Sequence, residues 1–526
     1  MTTHLAIAPI LLPLAAGATL LLVKKRSTSG ALAIAASAVL VLLAAALAVV
    51  TDRGGGEGVT LVYRVGDWPA AVAIVLVADR LAAAMVLLAS VLGLVNTLYG
   101  FSRWSRLGPY YLALSQFLLM GLNGAFLTGD LFNLFVFFEI LLAASYGLLL
   151  HGSGAKRVGA GLHYIVINLA ASLLFLIGVS LIFGVAGSLN MAALAGLIPT
   201  LPPQTRSLAH AGAAILGVAF LIKAAAWPMG FWLPRTYEAA APPAAAMFAI
   251  MTKVGVYAVM RLGLLFFGPH AAASAGFGDA WLFVTGVATV VVGVVGMLAA
   301  NDLGRITGYS VVVSAGVLLS AIVFRDAAVL AGALLYLVIS TLGAAALYLL
   351  DGLIGPDDVI PDEPPLLEAY DPEGAGAFTE EDETAVVIPA PIGVLSAGFL
   401  ICTLLIAGIP PLPGFLAKVA MLAPLLHAPA GPTPGAAAIL ATVVIASSFF
   451  ALFALARAGV QIWWAESRRV PPTIRLGEAA PLAALLMTCL LLTFVVEAPL
   501  GFLQRAADQA LEPARYAVPV LGGAAP

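Results

Sequence analysis

The chain has 526 residues, of which 62% are hydrophobic and 10% charged, with a net charge of −3 and a mean hydropathy of +1.07. Soluble domains carry about 25% charged residues, so composition excludes an ordinary soluble protein, and the basic surface is too sparse for nucleic acid. Two cysteines, Cys402 and Cys489, in separate apolar runs are too few for an iron–sulfur cluster, which takes about four. No metal-ligand spacing, phosphate-binding loop or Ser-His-Asp signature is present, so neither metal nor cofactor is expected.

Apolar windows of about 20 residues, the length that crosses a bilayer as a helix, recur roughly fourteen times. They fall at 4–24, 29–50, 71–99, 109–127, 130–150, 159–184, 208–228, 240–266, 280–299, 307–323, 327–350, 388–409 (continuing brokenly to 427), 436–462 and 479–500. The expected fold is therefore an all-α polytopic membrane protein. Helices fit better than a barrel, whose strands are about ten residues long and alternate apolar with polar. The first run is not a secretory signal, since its basic cluster Lys24-Lys25-Arg26 follows the apolar stretch instead of preceding it. That cluster, with Arg103, Arg106, Lys156, Arg157, Arg468, Arg469 and Arg475, lies in odd-to-even connections. The positive-inside rule makes these cytoplasmic and puts both termini outside.

Ionisable residues stand inside the apolar runs at Glu139, Lys223, Lys253 and Lys418. A charge at membrane depth costs about 2.5 kcal/mol or more on insertion scales, so four of them, with both signs, point to a buried polar pathway for protons or other ions. Glu139 beside Lys223 would keep both charged, and separating them would push a proton off the lysine; a static ion pair that fixes helix packing is the other reading. Hydroxyls at Thr307, Ser310 and Ser314 share one helix face, as do Tyr336 and Ser340. They suit either a proton relay through water or interhelical hydrogen bonds. His163 adds polarity to the sixth run; a lone histidine is more often a structural group, though the residue type suits relay work.

Proline interrupts two runs. LIKAAAWPMGFWLPRTYEAAAPP contains Pro228 and Pro234, and LLIAGIPPLPGFLAKVAML contains Pro410, Pro411 and Pro413. Each break has its own lysine, Lys223 and Lys418. Broken spans in corresponding places of two halves point to a transporter site, and a plain proline kink is the alternative. Residues 351–385 hold twelve of the 27 acidic residues and no Lys or Arg. They read as a solvated loop, or else as a docking surface for a basic partner.

The motifs VADRLAAAMVLLASVLGL, LTGDLFNLFVFFEILLAASYGLLLHG, LHYIVINLAASLLFLIG, LIKAAAWPMGFWLPRTYEA, AMFAIMTKVGVYAVMRL, AGIPPLPGFLAKVAML and RAGVQIWW occur in the order that resembles the D subunit of the Mrp-type (Pha, Mnh) multisubunit cation/proton antiporters. That family is related to the antiporter-like subunits of respiratory complex I. The resemblance implies about fourteen helices with helices four to eight and nine to thirteen as inverted repeats. It also implies proton-transfer roles for Glu139, Lys223, Lys253 and Lys418. Many related complex I subunits carry a His or Lys in the helix matched by LLYLVISTLGAAALYLL, which here offers only Tyr336, Ser340, Thr341 and Tyr348. The expected organisation is 1–108 as helices one to three, 109–266 and 280–462 as the two repeats, and 479–526 as a last helix and tail. The expected function is proton translocation in a heteromeric Na⁺(K⁺)/H⁺ antiporter of a bacterial cytoplasmic membrane, with other antiporter subunits as partners. The alternative is a proton-pumping subunit of a redox complex.

Overall fold

The computed structural model describes residues 2–68, 74–355, 390–427, 431–464 and 474–522. Helices dominate because, at membrane depth, every backbone N–H and C=O must be paired within its own segment. In chain order they are α1 (Ala8–Leu22), α2 (Arg26–Thr51), α3 (Arg80–Ser102), α4 (Tyr111–Leu127), α5 (Leu131–Leu149), α6 (Ala155–Ala186), α7 (Met191–Leu197), α8 (Pro203–Lys223), α9 (Trp232–Ala239) and α10 (Pro242–Phe267). The second part has α11 (Asp279–Ala299), α12 (Leu303–Ile322), α13 (Ala327–Ile354), α14 (Ala390–Ala407), α15 (Pro413–Leu422), α16 (Ala436–Trp464), α17 (Leu476–Phe494), α18 (Glu497–Leu511) and α19 (Pro513–Leu521). Among the described residues twelve helices are long and apolar enough to cross a membrane, and shorter apolar helices accompany them. The chain is a polytopic membrane protein.

Side-chain caps set several helix starts. Asp79 accepts from the Ala82 amide, Asp130 from Asn133, Asn190 from Ala192 and Ala193, and Asp326 from Ala328 and Val329. Each satisfies first-turn amides that have no partner within the helix. Three helices, α10, α12 and α13, form the centre, each with 89% of its spanning window buried. Polar groups on these helices are therefore largely sealed from lipid.

Several expectations are corrected. Residues 75–78 do not begin the third helix. They form strand β2 (Val75–Ala78), antiparallel to β1 (Leu61–Arg64), with Leu61 opposite Ala78; Val-Leu-Val is β-branched-rich and is read equally well as a strand end or a helix start. The fourth and fifth runs closely match α4 and α5, whereas the seventh stops five residues early, at Lys223. The tail after residue 500 is helical: α18 and α19 pack on the hairpin end, where Arg64 donates to the Val520 carbonyl and Thr60 to that of Arg515. His4 packs on Tyr63 at the same end, so the first and last described segments lie at one end of the bundle. Residues 351–354 extend α13 rather than opening the acidic loop, and 356–389 lie outside the described residues, as do Arg468 and Arg469.

Candidate functional site

The four embedded charges fall into two groups, one packed beside α10 and one that begins on it. In the first, α5 presents Glu139, half-buried, toward α6 and the end of α8. The Ser172 hydroxyl on α6 donates to the Glu139 carboxylate and accepts from Lys223 Nζ at 3.4 Å. The acid and the lysine are thus joined through a serine rather than in direct contact. Lys223 is the last residue of α8, and its ammonium lies 5.0 Å from the Phe138 ring centroid. Phe138, Phe175 and Phe220 pack on one another around it, giving a dry wall that strengthens every charge interaction inside it.

The break after α8 spans 224–231 and contains Pro228, with Pro234 inside α9. Backbone groups freed by the break need partners: the Ile222 carbonyl accepts from the Trp232 indole N–H at 3.1 Å, and the Trp227 amide donates to Thr289 Oγ1 at 2.8 Å. α10 crosses this break closely. A Cβ at Gly255 would stand 2.7 Å from the Ala224 nitrogen and 2.9 Å from the Phe220 oxygen, so no larger residue fits there without moving backbone.

The second group begins two residues earlier on α10. Lys253 is 1% exposed, and its ammonium donates to Ser314 on α12. Ser314 in turn lines a cavity of about 20 Å³ together with Ser310, Tyr336, Ser340, Ser447 and Lys418. That is room for one water, with hydroxyls on several walls to hold it. Beyond it, Lys418 Nζ donates to Ala407 O at 2.9 Å and to Ser448 Oγ at 2.7 Å, with Ile406 O at 3.5 Å and the Tyr336 ring at 5.9 Å. Ala407 is the last residue of α14, so the ammonium sits where a helix C-terminus exposes unpaired carbonyls and partial negative charge. The break 408–412 holds Pro410 and Pro411, and Pro413 opens α15. Gly408 has φ +67°, and a Cβ there would stand 2.9 Å from Lys418 Nζ. Glycine supplies both the left-handed turn and the space for the lysine.

Two sequence candidates lie apart from these groups. Thr307 is buried but turns its hydroxyl back to Leu303 O and does not line the cavity. His163 is exposed on the outer face of α6, edge-on to Phe231, and does not join the buried row. Among the described residues no hydrogen bond spans from Lys223 to Lys253. Sequence reasoning missed Ser172 and Ser448, serines in otherwise apolar helices with no local pattern to mark them. It also missed a buried ion pair: Asp79 Oδ1 accepts from Arg261 Nη2 at 2.7 Å, with the other oxygen and guanidinium nitrogen also paired, and the Tyr257 hydroxyl beside them. At the hairpin end Asp52 accepts from Arg505 at 2.7 and 2.8 Å and from Arg80 at 2.9 Å. The Arg505 hydrogen bonds, aided by the charges of Arg505 and Arg80, hold its carboxyl below the usual range against the opposing effect of burial.

Residues 128–431, from the start of α5 through α15, match the family described as NADH:quinone oxidoreductase/Mrp antiporter, transmembrane. The chain is 46% identical over 98% of its length to the probable K⁺/H⁺ antiporter D subunit of Rhizobium meliloti (strain 1021), covering 97% of that protein. The chain belongs to the D-subunit family of Mrp antiporters. The Na⁺/H⁺ antiporter D subunit of Alkalihalophilus pseudofirmus is 33% identical over 88% of this chain and 89% of its own. Among solved structures, a chain of the Mrp complex from Dietzia sp. DQ12-45-1b superposes with a TM-score of 0.81 at 25% identity, covering 99% of both chains. A chain of respiratory complex I from Thermus thermophilus shares the fold, with a TM-score of 0.74 at 23% identity over 97% of this chain and 100% of its own. The segment matching the Mrp family holds all four embedded charges, both helix breaks and most of the wall of the hydroxyl-lined cavity.

Proposed function

We propose that this Mrp-type subunit carries protons in a multisubunit antiporter that exchanges H⁺ for K⁺ or Na⁺ across a bacterial cytoplasmic membrane. It is a transporter subunit, not an enzyme. Glu139, Lys223, Lys253 and Lys418 bind the proton in turn; Ser310, Ser314, Tyr336, Ser340 and one water link the last two. Residues 109–266 and 280–462 form the two antiporter units, each with one broken helix, flanked by 1–108 and 479–526. The basic connections face the cytoplasm and both termini face outward.

The observation that carries this reading is the partner of each buried lysine. Lys223, Lys253 and Lys418 each donate to a serine, Ser172, Ser314 and Ser448. A hydroxyl both accepts and donates, so it satisfies the ammonium and then turns its own hydrogen toward the neutral amine. A carboxylate partner would be left as a stranded buried anion, which is costly. Arg261 and Asp79 provide that contrast within the same bundle: a permanently charged pair that suits structure rather than transfer. The relatives, named as antiporter subunits, support the same reading over the redox alternative.

The test is purification of the tagged native complex and its reconstitution into sealed vesicles. Dissipation of an imposed pH gradient by K⁺ or Na⁺, with no flavin or iron–sulfur partner, is expected. A complex that co-purifies with either redox group and shows no cation-dependent proton movement would establish the alternative.

A further inference from the structure

A second polar cavity, of about 260 Å³, lies at the end of the bundle opposite the hairpin, between α6, α9 and the start of α12. Its wall carries Lys156, Arg235 and Arg305 against one carboxylate, Glu238. Glu238 is fully engaged, 2.7 Å from Lys156 and 2.7 Å from Arg305. Arg235 is exposed and has no side-chain partner among the described residues. On the wall itself two positive charges are therefore in excess, with Asp302 near Arg305 at its edge, and around Arg235 the field favours anions. The surroundings are apolar and outward-facing: Trp227, Met229 and Phe231 of the break are exposed, and so are Val158, Leu162 and Val166 along α6.

We infer that this cavity binds the headgroup of an anionic phospholipid from the basic, cytoplasmic leaflet. Its phosphate sits against the free fork of Arg235, which matches two phosphate oxygens at once, with Lys156 as a second point charge. Its acyl chains lie along the exposed face of α6 beneath Phe231. Basic pockets between membrane helices on this side suit such headgroups, and charge complementarity together with the adjoining apolar face selects a lipid over a soluble anion. The floor of the cavity is Trp232, whose indole holds the Ile222 carbonyl next to Lys223. A bound lipid therefore also braces the break between α8 and α9.

The experiment is titration of the delipidated whole complex with phosphatidylglycerol, phosphatidylcholine or inorganic phosphate, followed by native mass spectrometry and by thermal melting. Wild type is expected to retain phosphatidylglycerol in preference to phosphatidylcholine and to melt higher with it. Arg235→Ala should weaken that binding about tenfold, the loss of a charge-assisted hydrogen-bonded contact, while Arg235→Lys recovers part of it. Because Arg235 is exposed and unpaired, both variants assemble, which the intact mass confirms. Equal retention of the two lipids by wild type, or unchanged phosphatidylglycerol binding in Arg235→Ala, would overturn the inference. So would stabilisation by millimolar phosphate equal to that by the lipid, which would mark a site for a free anion.

Discussion

Lys418→Arg separates a proton carrier from a structural cation. The ammonium makes two good hydrogen bonds, to Ala407 O at 2.9 Å and Ser448 Oγ at 2.7 Å, and a guanidinium has donors enough for both. Helix packing and complex assembly should survive. Proton release should not. An ordinary lysine has a pKa near 10.4, whereas arginine exceeds 12; two units are about 2.7 kcal/mol, or about a hundredfold fewer neutral molecules at any given pH. The environment of position 418 acts on both side chains, so this ratio holds to first order in the protein. The adjoining cavity of about 20 Å³ also has no room for both the larger group and its water, which adds to the loss. Lys418→Ala removes the carrier as well and adds a structural cost: it strands the Ala407 carbonyl, at about 1–3 kcal/mol if unpaired, until water enters the vacated space, while Ser448 keeps its bond to Val444 O. The assay is cation-driven proton exchange in everted vesicles, normalised to assembled complex. Antiport in the arginine variant should be at most about a hundredth of wild type. Exchange above about a tenth of wild type with normal assembly, an effect of about 1.4 kcal/mol instead of about 2.7, would remove Lys418 from the proton path.

Ser172→Ala removes the hydroxyl between Glu139 and Lys223; antiport should fall about tenfold, the size of one charged hydrogen bond, while Ser172→Thr keeps it, and vesicle exchange rates of the two variants decide. Asp79→Asn leaves the Arg261 guanidinium buried without its counter-charge, so it should cost about 3–5 kcal/mol, read as a lower melting temperature and less assembled complex; unchanged melting would show that Tyr257 and water suffice. The Asp52 carboxyl is held below its unfolded value, so its contribution is present above about pH 4 and fades as the pH falls through the folded value. The attachment of α18 through Arg505 should weaken over that acid range, and Asp52→Asn should flatten this part of the pH dependence of melting; an identical slope in the variant would refute the assignment.

Much was legible along the chain because the bilayer imposes one length and one polarity on every span. The apolar runs located most of the crossing helices to within a few residues, and Lys223 and Lys418 stood out because charge at that depth is rare. Proline marked both breaks, since it cannot continue a helix without freeing a carbonyl. The hairpin was less legible: four-residue strands leave no periodicity to distinguish them from a helix start. The amphipathic α18 and α19 escaped notice because they are too polar to register as spans.

The sequence by itself determined a helical membrane protein of the antiporter type with four embedded charges and two interrupted helices, because hydropathy, proline and charge act locally and are written in neighbouring residues. Only the tertiary structure decided what those charges touch. Ser172, Ser314 and Ser448 are 51, 61 and 30 positions from the lysines they accept from; Ser314 stood on a hydroxyl face legible in the sequence, but nothing local paired it with Lys253 or distinguished Ser172 and Ser448 from other serines in apolar helices. Likewise, α10, α12 and α13 became the sealed centre through contacts with neighbours on all sides, and His163 fell outside the row because α6 turns that face outward. Hydrogen bonding requires separations of about 3 Å, and the distance between residues on different helices is set by packing rather than by their order in the chain.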